Sequence, residues 1–204
     1  MKIKFNLFVG ILVFIFLTQY TKTINAETIT DLQENDLVLG DLNAPITMIE
    51  YASLSCPHCA DFHLNTLPEI KKDYIDTGKL KLIFRNFPLN LPALYASKIT
   101  RCVDREISFK YINALFITQR SWVKSSGSKE SLFEIVKNGG MTIEEFDSCL
   151  SDKNLEEDIL NHQIKAQKKF KIQTTPSFII NSRLVSGNKS LETFITIFED
   201  ILSN

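Results

Sequence analysis

The sequence predicts an α/β fold interrupted by a block of helices, and three observations predict it. An apolar segment of strand character, Ile46 to Ala52, is followed by a helical pattern and then by a second strand, Leu80 to Phe87. From Leu94 to about Ile164 only helical patterns occur. Strand signals return at Ser177 to Ile180 and at Arg183 to Val185, and an amphipathic helix closes the chain. A strand, helix, strand series of this length reads as a βαβ unit with parallel strands.

The elements follow in order. Met1-Lys2-Ile3-Lys4 is a positive start, Phe5 to Leu17 is almost unbroken apolar sequence, and Ile24-Asn25-Ala26 offers a small residue before a cut. This layout predicts a signal peptide over residues 1–26. The apolar run is short for a bilayer span, which needs about 20 residues; an uncleaved signal anchor is the alternative. Leu37-Val38-Leu39 is a short strand candidate ended by Gly40-Asp41, and Asn43-Ala44-Pro45 is a turn. Ile46 to Ala52 is apolar enough to be a central strand, with Glu50 its exception. Pro57 to about Ile75 has helical spacing, with Pro57 at the first helical position, where a missing N–H costs nothing. Pro68 should kink this helix, and Thr77-Gly78 ends it.

The helical block begins with apolar spacing from Leu94 to Gln119, with a break at Asp104 to Ile107. A loop at Lys124 to Ser128 and a short helix around Leu132, Phe133 and Val136 follow. Thr142-Ile143-Glu144-Glu145 is a capping box opening a helix that carries Phe146, Cys149 and Leu150. Leu155 to Phe170 is the last helix of the block. The terminal helix presents Leu191, Phe194, Ile195, Phe198 and Leu202 on one face. The expected organisation is a domain over 27–88, its continuation over 166–204, and a helical insertion over 89–165 between them.

A net charge of −1 in 204 residues leaves no electrostatic footprint for nucleic acid. Removal of residues 1–26 takes away Lys2, Lys4 and Lys22 and no acid, so the remaining chain carries −4. Export also changes the meaning of the four cysteines, because disulfides persist outside the cytosol. Three pairings are open to four cysteines; spacing makes Cys56–Cys59 one natural pair and leaves Cys102–Cys149 as the other. The second pair would clamp two helices, contributing about 4 kcal/mol by loop-closure entropy, or would be a further redox pair.

The chemistry centres on Ser53-Leu54-Ser55-Cys56-Pro57-His58-Cys59-Ala60, at a strand-to-helix junction. A disulfide exchanger needs one thiol that is ionised, reachable and a good leaving group. Cys56 at a helix N-terminus has this character, since the amides and macrodipole favour an anion and a protonated His58 adds charge. Cys59, further along the helix, is the resolving thiol. The competing reading is zinc held by this pair with histidines, but no second Cys-x-x-Cys exists and Pro57 suits a helix start. His63 and His162 read as surface or helix-packing residues, Trp122 as core, and Asn188-Lys189-Ser190 as a turn and helix cap.

The chain resembles the DsbA-type thiol-disulfide oxidoreductases, and most closely their alphaproteobacterial members. Cys56-Pro57-His58-Cys59, Thr174-Thr175-Pro176-Ser177-Phe178 before the late strand, and the helical block carry the resemblance. It implies a thioredoxin fold with an inserted all-helical domain and a cis peptide bond at Thr175-Pro176 facing Cys56. On the sequence alone, Thr175-Pro176 would be an ordinary turn. It also implies an acidic residue under the active site at Glu50, which would accept or relay the proton of Cys59; a solvent-facing Glu is the alternative. No cofactor or metal is expected. The expected partners are exported proteins with free cysteines and a DsbB-like membrane reoxidase, and the expected state is a periplasmic monomer. An oxidase is the first reading. An isomerase or reductase is the second, because Thr175 is common before the proline in isomerases. A metal- or peptide-binding module is the third.

Overall fold

The computed structural model describes residues 31–203, Glu34 and Ser125 excepted. The expected signal peptide over 1–26 lies outside these residues. Among the described residues no helix is long and apolar enough to cross a membrane.

Five strands form one mixed sheet: β1 (Leu37–Leu39), β2 (Ile46–Ala52), β3 (Leu80–Asn86), β4 (Ser177–Ile180) and β5 (Arg183–Ser186). Their spatial order is β1-β3-β2-β4-β5. β2 is central and buried along its whole length. It runs parallel to β3 and antiparallel to β4, while β1 and β5 close the two edges antiparallel. The parallel pair confirms the βαβ reading, because the crossover between β2 and β3 is a helix.

That helix, α1, covers residues 57–75. It contains two wide turns, Phe62–Thr66 and Lys71–Ile75, in which the Leu67 N–H bonds to the Phe62 carbonyl and the Asp76 N–H to the Lys71 carbonyl. Where a kink was expected at Pro68, the helix instead widens the turn before it. Pro68 has no N–H to give, and its ring would crowd the preceding turn; a π-type turn relieves both demands.

One face of the sheet packs against α1 and the terminal helix α8 (Leu191–Leu202, α8 in chain order after the insertion) through Ile46, Met48, Leu80, Leu82, Phe178 and Ile180. Phe62, Phe178 and Phe194 meet there with ring centroids 4.7–5.6 Å apart. Full burial of each such ring contributes about 1.5–3 kcal/mol. The opposite face carries Ile49, Tyr51, Ile83 and Ile179 against Ala166 and Ile172. On that face Arg85 makes a buried pair with Asp36 at 2.8 Å and donates to the Tyr51 hydroxyl, tying the segment before β1 to the sheet.

The insertion comprises α2 (Leu91–Cys102), α3 (Arg105–Ile117), α4 (Gln119–Trp122), α5 (Ser128–Val136), α6 (Ile143–Ser151) and α7 (Lys153–Phe170). α2 starts three residues before the expected Leu94, because the Asn90 side chain caps the Ala93 N–H and Pro92 fits the first turn. The Thr142–Glu145 capping box is present in full at α6. α7 begins under an Asp152 cap and runs unbroken across residue 165 to Phe170. Trp122 is fully buried and donates its indole N–H to the Leu115 carbonyl. Lys98 is fully buried as well; its ammonium is held by the Leu150 carbonyl at 2.7 Å and by Glu156.

Cys102 at the end of α2 and Cys149 in α6 are joined by a disulfide across 47 residues. Replacing both by serine should lower the unfolding free energy by about 2–4 kcal/mol. Urea titration with Cys56 and Cys59 held in one redox state measures this; an unchanged midpoint would mean the bond does not clamp the insertion.

Candidate active site

β2 ends at Ala52, and Ser53 to Cys56 turn the chain into α1. The turn is hydrogen-bonded internally, Cys56 N–H to the Ser53 carbonyl at 3.0 Å. Ser53 Oγ accepts from the Leu89 N–H, so the loop after β3 supports it. Gln119, at the start of α4, reaches across from the insertion. Its buried amide donates to the carbonyls of Leu54 at 2.8 Å and Cys56 at 2.9 Å. Sequence reasoning missed Gln119: a polar residue at the end of an apolar helical pattern carries no local signal of a partner sixty-five residues away.

Cys56 is the N-cap of α1, in extended conformation, with Pro57 as the first helical residue. Both cysteines of the pair are unbonded and buried, while Pro57 and His58 are exposed. The Cys56 thiol is brought down from an ordinary 9.0 to about 5. The largest cause is the hydrogen bond from the Cys59 thiol; the Thr175 hydroxyl, otherwise unpartnered, and the backbone N–H groups of Cys59 and His58 add to it against the cost of burial. Cys59 goes the other way. Burial pushes its thiol up, and donation to Cys56 and the nearby Glu50 carboxylate push in the same direction. The two thiols are thus shifted in opposite directions, an arrangement that suits Cys56 to act as nucleophile and leaving group and Cys59 to keep its proton.

Thr175 faces Cys56 across the site: the Cys56 thiol donates to the Thr175 carbonyl at 3.3 Å. The Thr175-Pro176 bond is cis, and Pro176 is buried at the head of β4. Beneath the pair, Glu50 is fully buried. Strand register sets it between Phe84 of β3 and Phe178 of β4. Its Oε2 lies 2.8 Å from His63 Nε2, and its Oε1 has no hydrogen-bond partner among the described residues.

The position of His63 corrects the reading of that residue as surface or mere packing. It is buried, ringed by Phe62, Phe84 and Phe116, and bound to Glu50. The available signal was its place four residues after Cys59, which puts both on the buried side of α1. The same geometry bears on the zinc reading: His63 is turned to Glu50 and His58 to solvent. Among the described residues no group of three or more Cys, His, Asp or Glu is arranged to hold a metal. His162 is half-buried on α7, 3.7 Å from Asp158.

A groove of about 500 Å³ opens beside α1, between Pro57, Asp61 and Leu64 on one side and Ile117, Gln119 and Arg120 on the other. A larger cavity of about 620 Å³ lies against the Cys102–Cys149 disulfide and does not reach Cys56.

The thioredoxin family model matches residues 32–200. Among solved structures, alpha-DsbA1 of Wolbachia pipientis is 36% identical with a TM-score of 0.79, over 84% of this chain and 93% of that one. The chain belongs to the DsbA-like thioredoxin family. A curated relative from Rickettsia bellii, provisionally named a protein-disulfide oxidoreductase, is 37% identical over 74% of this chain. The chain spans about three fifths of the length of the rickettsial relatives it matches. Disulfide bond formation protein D of Bacillus subtilis is 26% identical over 74% of this chain and 69% of its own length.

Because the folded thiol is depressed from 9.0 to about 5, the thiolate stabilises the reduced form fully above about pH 9, and that gain is lost as pH falls through about 5. Thiolate absorbance should therefore titrate with a midpoint near pH 5, and Cys59→Ala should move the midpoint upward. A midpoint near 9 would remove Cys56 as the ionised partner.

Proposed function

We propose that this chain is a dithiol oxidase that introduces disulfides into exported proteins in the cell envelope. The supporting observation is the depressed Cys56 thiol, held by Cys59, Thr175 and the first amides of α1. A thiolate stabilised in the reduced form makes the corresponding disulfide easier to reduce, and hence a better oxidant. In the cycle a substrate thiolate attacks Cys56 of the Cys56–Cys59 disulfide. A bond forms between substrate sulfur and Cys56, and Cys59 leaves with the electron pair and takes up a proton. A second substrate thiolate then attacks the first substrate sulfur, completing the substrate disulfide and expelling Cys56 as thiolate.

Pro57, His58 and the cis Thr175-Pro176 segment flank the reacting sulfur and present the surface on which an extended substrate strand docks. Glu50 supplies and receives the proton of Cys59. The Cys102–Cys149 bond serves as a structural clamp. A membrane reoxidase of the DsbB type returns the pair to its disulfide, and the protein acts as a periplasmic monomer after removal of residues 1–26.

The second reading is an isomerase or reductase, favoured by the identity of Thr175 as the residue before Pro176. The redox potential of the Cys56–Cys59 couple separates the two. A couple more oxidising than glutathione supports the oxidase, and one as reducing as thioredoxin supports the reductive direction. In parallel, the oxidised protein should convert a reduced two-cysteine peptide to its disulfide stoichiometrically, with Cys56→Ser falling to the uncatalysed rate. An unaffected Cys56→Ser variant would overturn the reading.

A further inference from the structure

The Glu50–His63 contact contains at least one proton, since neither a bare imidazole nitrogen nor a carboxylate oxygen can donate to the other without it. Both side chains are almost fully buried. The groups packed around them are Phe84 of β3, Phe178 of β4, Phe116 of α3 and Phe62 of α1, none of which carries charge. An uncompensated carboxylate in such surroundings is costly, so a pair with no net charge is favoured over a lone anion. The titratable neighbour whose ionisation the Glu50 charge opposes is Cys59.

We propose that His63 is a positioning residue for thiol-disulfide exchange: it holds Glu50 as a carboxylate so that the unpartnered Oε1 can take and return the proton of Cys59. This rests on the exchange chemistry proposed above. With His63 as imidazolium, movement of the Cys59 proton to Oε1 leaves a thiolate balanced by His63, and the total charge of the buried cluster does not change. The Cys59 thiolate then attacks Cys56 Sγ of a mixed disulfide. The Cys59–Cys56 bond forms, the bond from Cys56 to the partner sulfur breaks, and that sulfur leaves with the electron pair. Glu50 then releases the proton to solvent, where the departing thiolate takes one up. In the oxidising direction the same path runs in reverse, and Glu50 protonates Cys59 as it leaves. Without the imidazolium, nothing in the aromatic cage would balance the negative charge that the carboxylate and Cys59 share.

The test mixes the reduced protein with oxidised glutathione and follows the species by rapid acid quench and mass spectrometry. A first phase forms the Cys56–glutathione mixed disulfide, and a second, first-order phase resolves it through Cys59. Glu50→Gln and His63→Gln should each slow the second phase about ten- to a hundredfold near neutral pH and flatten its pH profile, at the low end of proton-transfer effects. Neither should change the first phase. The double variant should be no slower than Glu50→Gln, because His63 acts through Glu50. If the unsubstituted protein shows no first phase, thiol-disulfide exchange itself is the wrong reading. If it shows both phases and His63→Gln resolves at the same rate and pH profile, or if the two substitutions multiply fully, the role of His63 is overturned. Nitrogen NMR of the His63 ring does not depend on whether His63→Gln folds. The ring should be imidazolium near neutral pH and become neutral in Glu50→Gln; a neutral ring in the unsubstituted protein would contradict the proposal.

Discussion

Cys56 is only 6% exposed, and donors converge from three directions to stabilise a thiolate there. The first turn of α1 gives backbone N–H groups, Cys59 gives its thiol, and Thr175 gives a hydroxyl. Each donor is set by a different part of the fold. The helix start depends on the β2-to-α1 turn, Cys59 on the helical register, and Thr175 on the segment leading into β4. The sheet order β3-β2-β4 brings these parts together, since β2 carries the turn and β4 lies directly beside it. Below the sulfur the same face of β2 turns Glu50 into the phenylalanine layer, where His63 meets it.

The helical insertion belongs to this arrangement. Gln119 fixes the carbonyls of Leu54 and Cys56, so the backbone at the N-terminus of α1 is held from outside the thioredoxin core. Phe116 packs its ring on His63 at 4.5 Å and closes the cage around the buried pair. Buried polar groups left unpaired in such a place cost about 1–3 kcal/mol each. The insertion thus supplies a donor to the Leu54 carbonyl, a second donor to the Cys56 carbonyl beside the Ala60 N–H, and an apolar wall against His63.

Much of this was legible in the sequence, and what was not has a common physical cause. The strands, the Pro57 helix start and the Thr142 capping box are written in short-range pattern. The paired cysteines are written in a motif whose chemistry needs those residue types, whereas the proline at 176 was legible only through the family resemblance. Glu50 stood out because an acid in an apolar strand has to be matched by something. Its partner did not stand out, because His63 lies thirteen residues away on another element and nothing local tells a caged histidine from a packing one. Gln119 was silent for the same reason. The wide turns before and after Pro68 were read as a kink, since the sequence marks where a helix loses an N–H but not how the backbone makes room.

If the thiolate at Cys56 is what the surrounding donors stabilise, the reduced protein should be the more stable form, because closing the Cys56–Cys59 bond removes that anion. Urea unfolding of the two redox forms, at neutral pH and with Cys102–Cys149 intact, measures this directly. A higher midpoint for the reduced form is the predicted result. A more stable oxidised form would contradict the account, since the fold would then favour keeping the disulfide over giving it away.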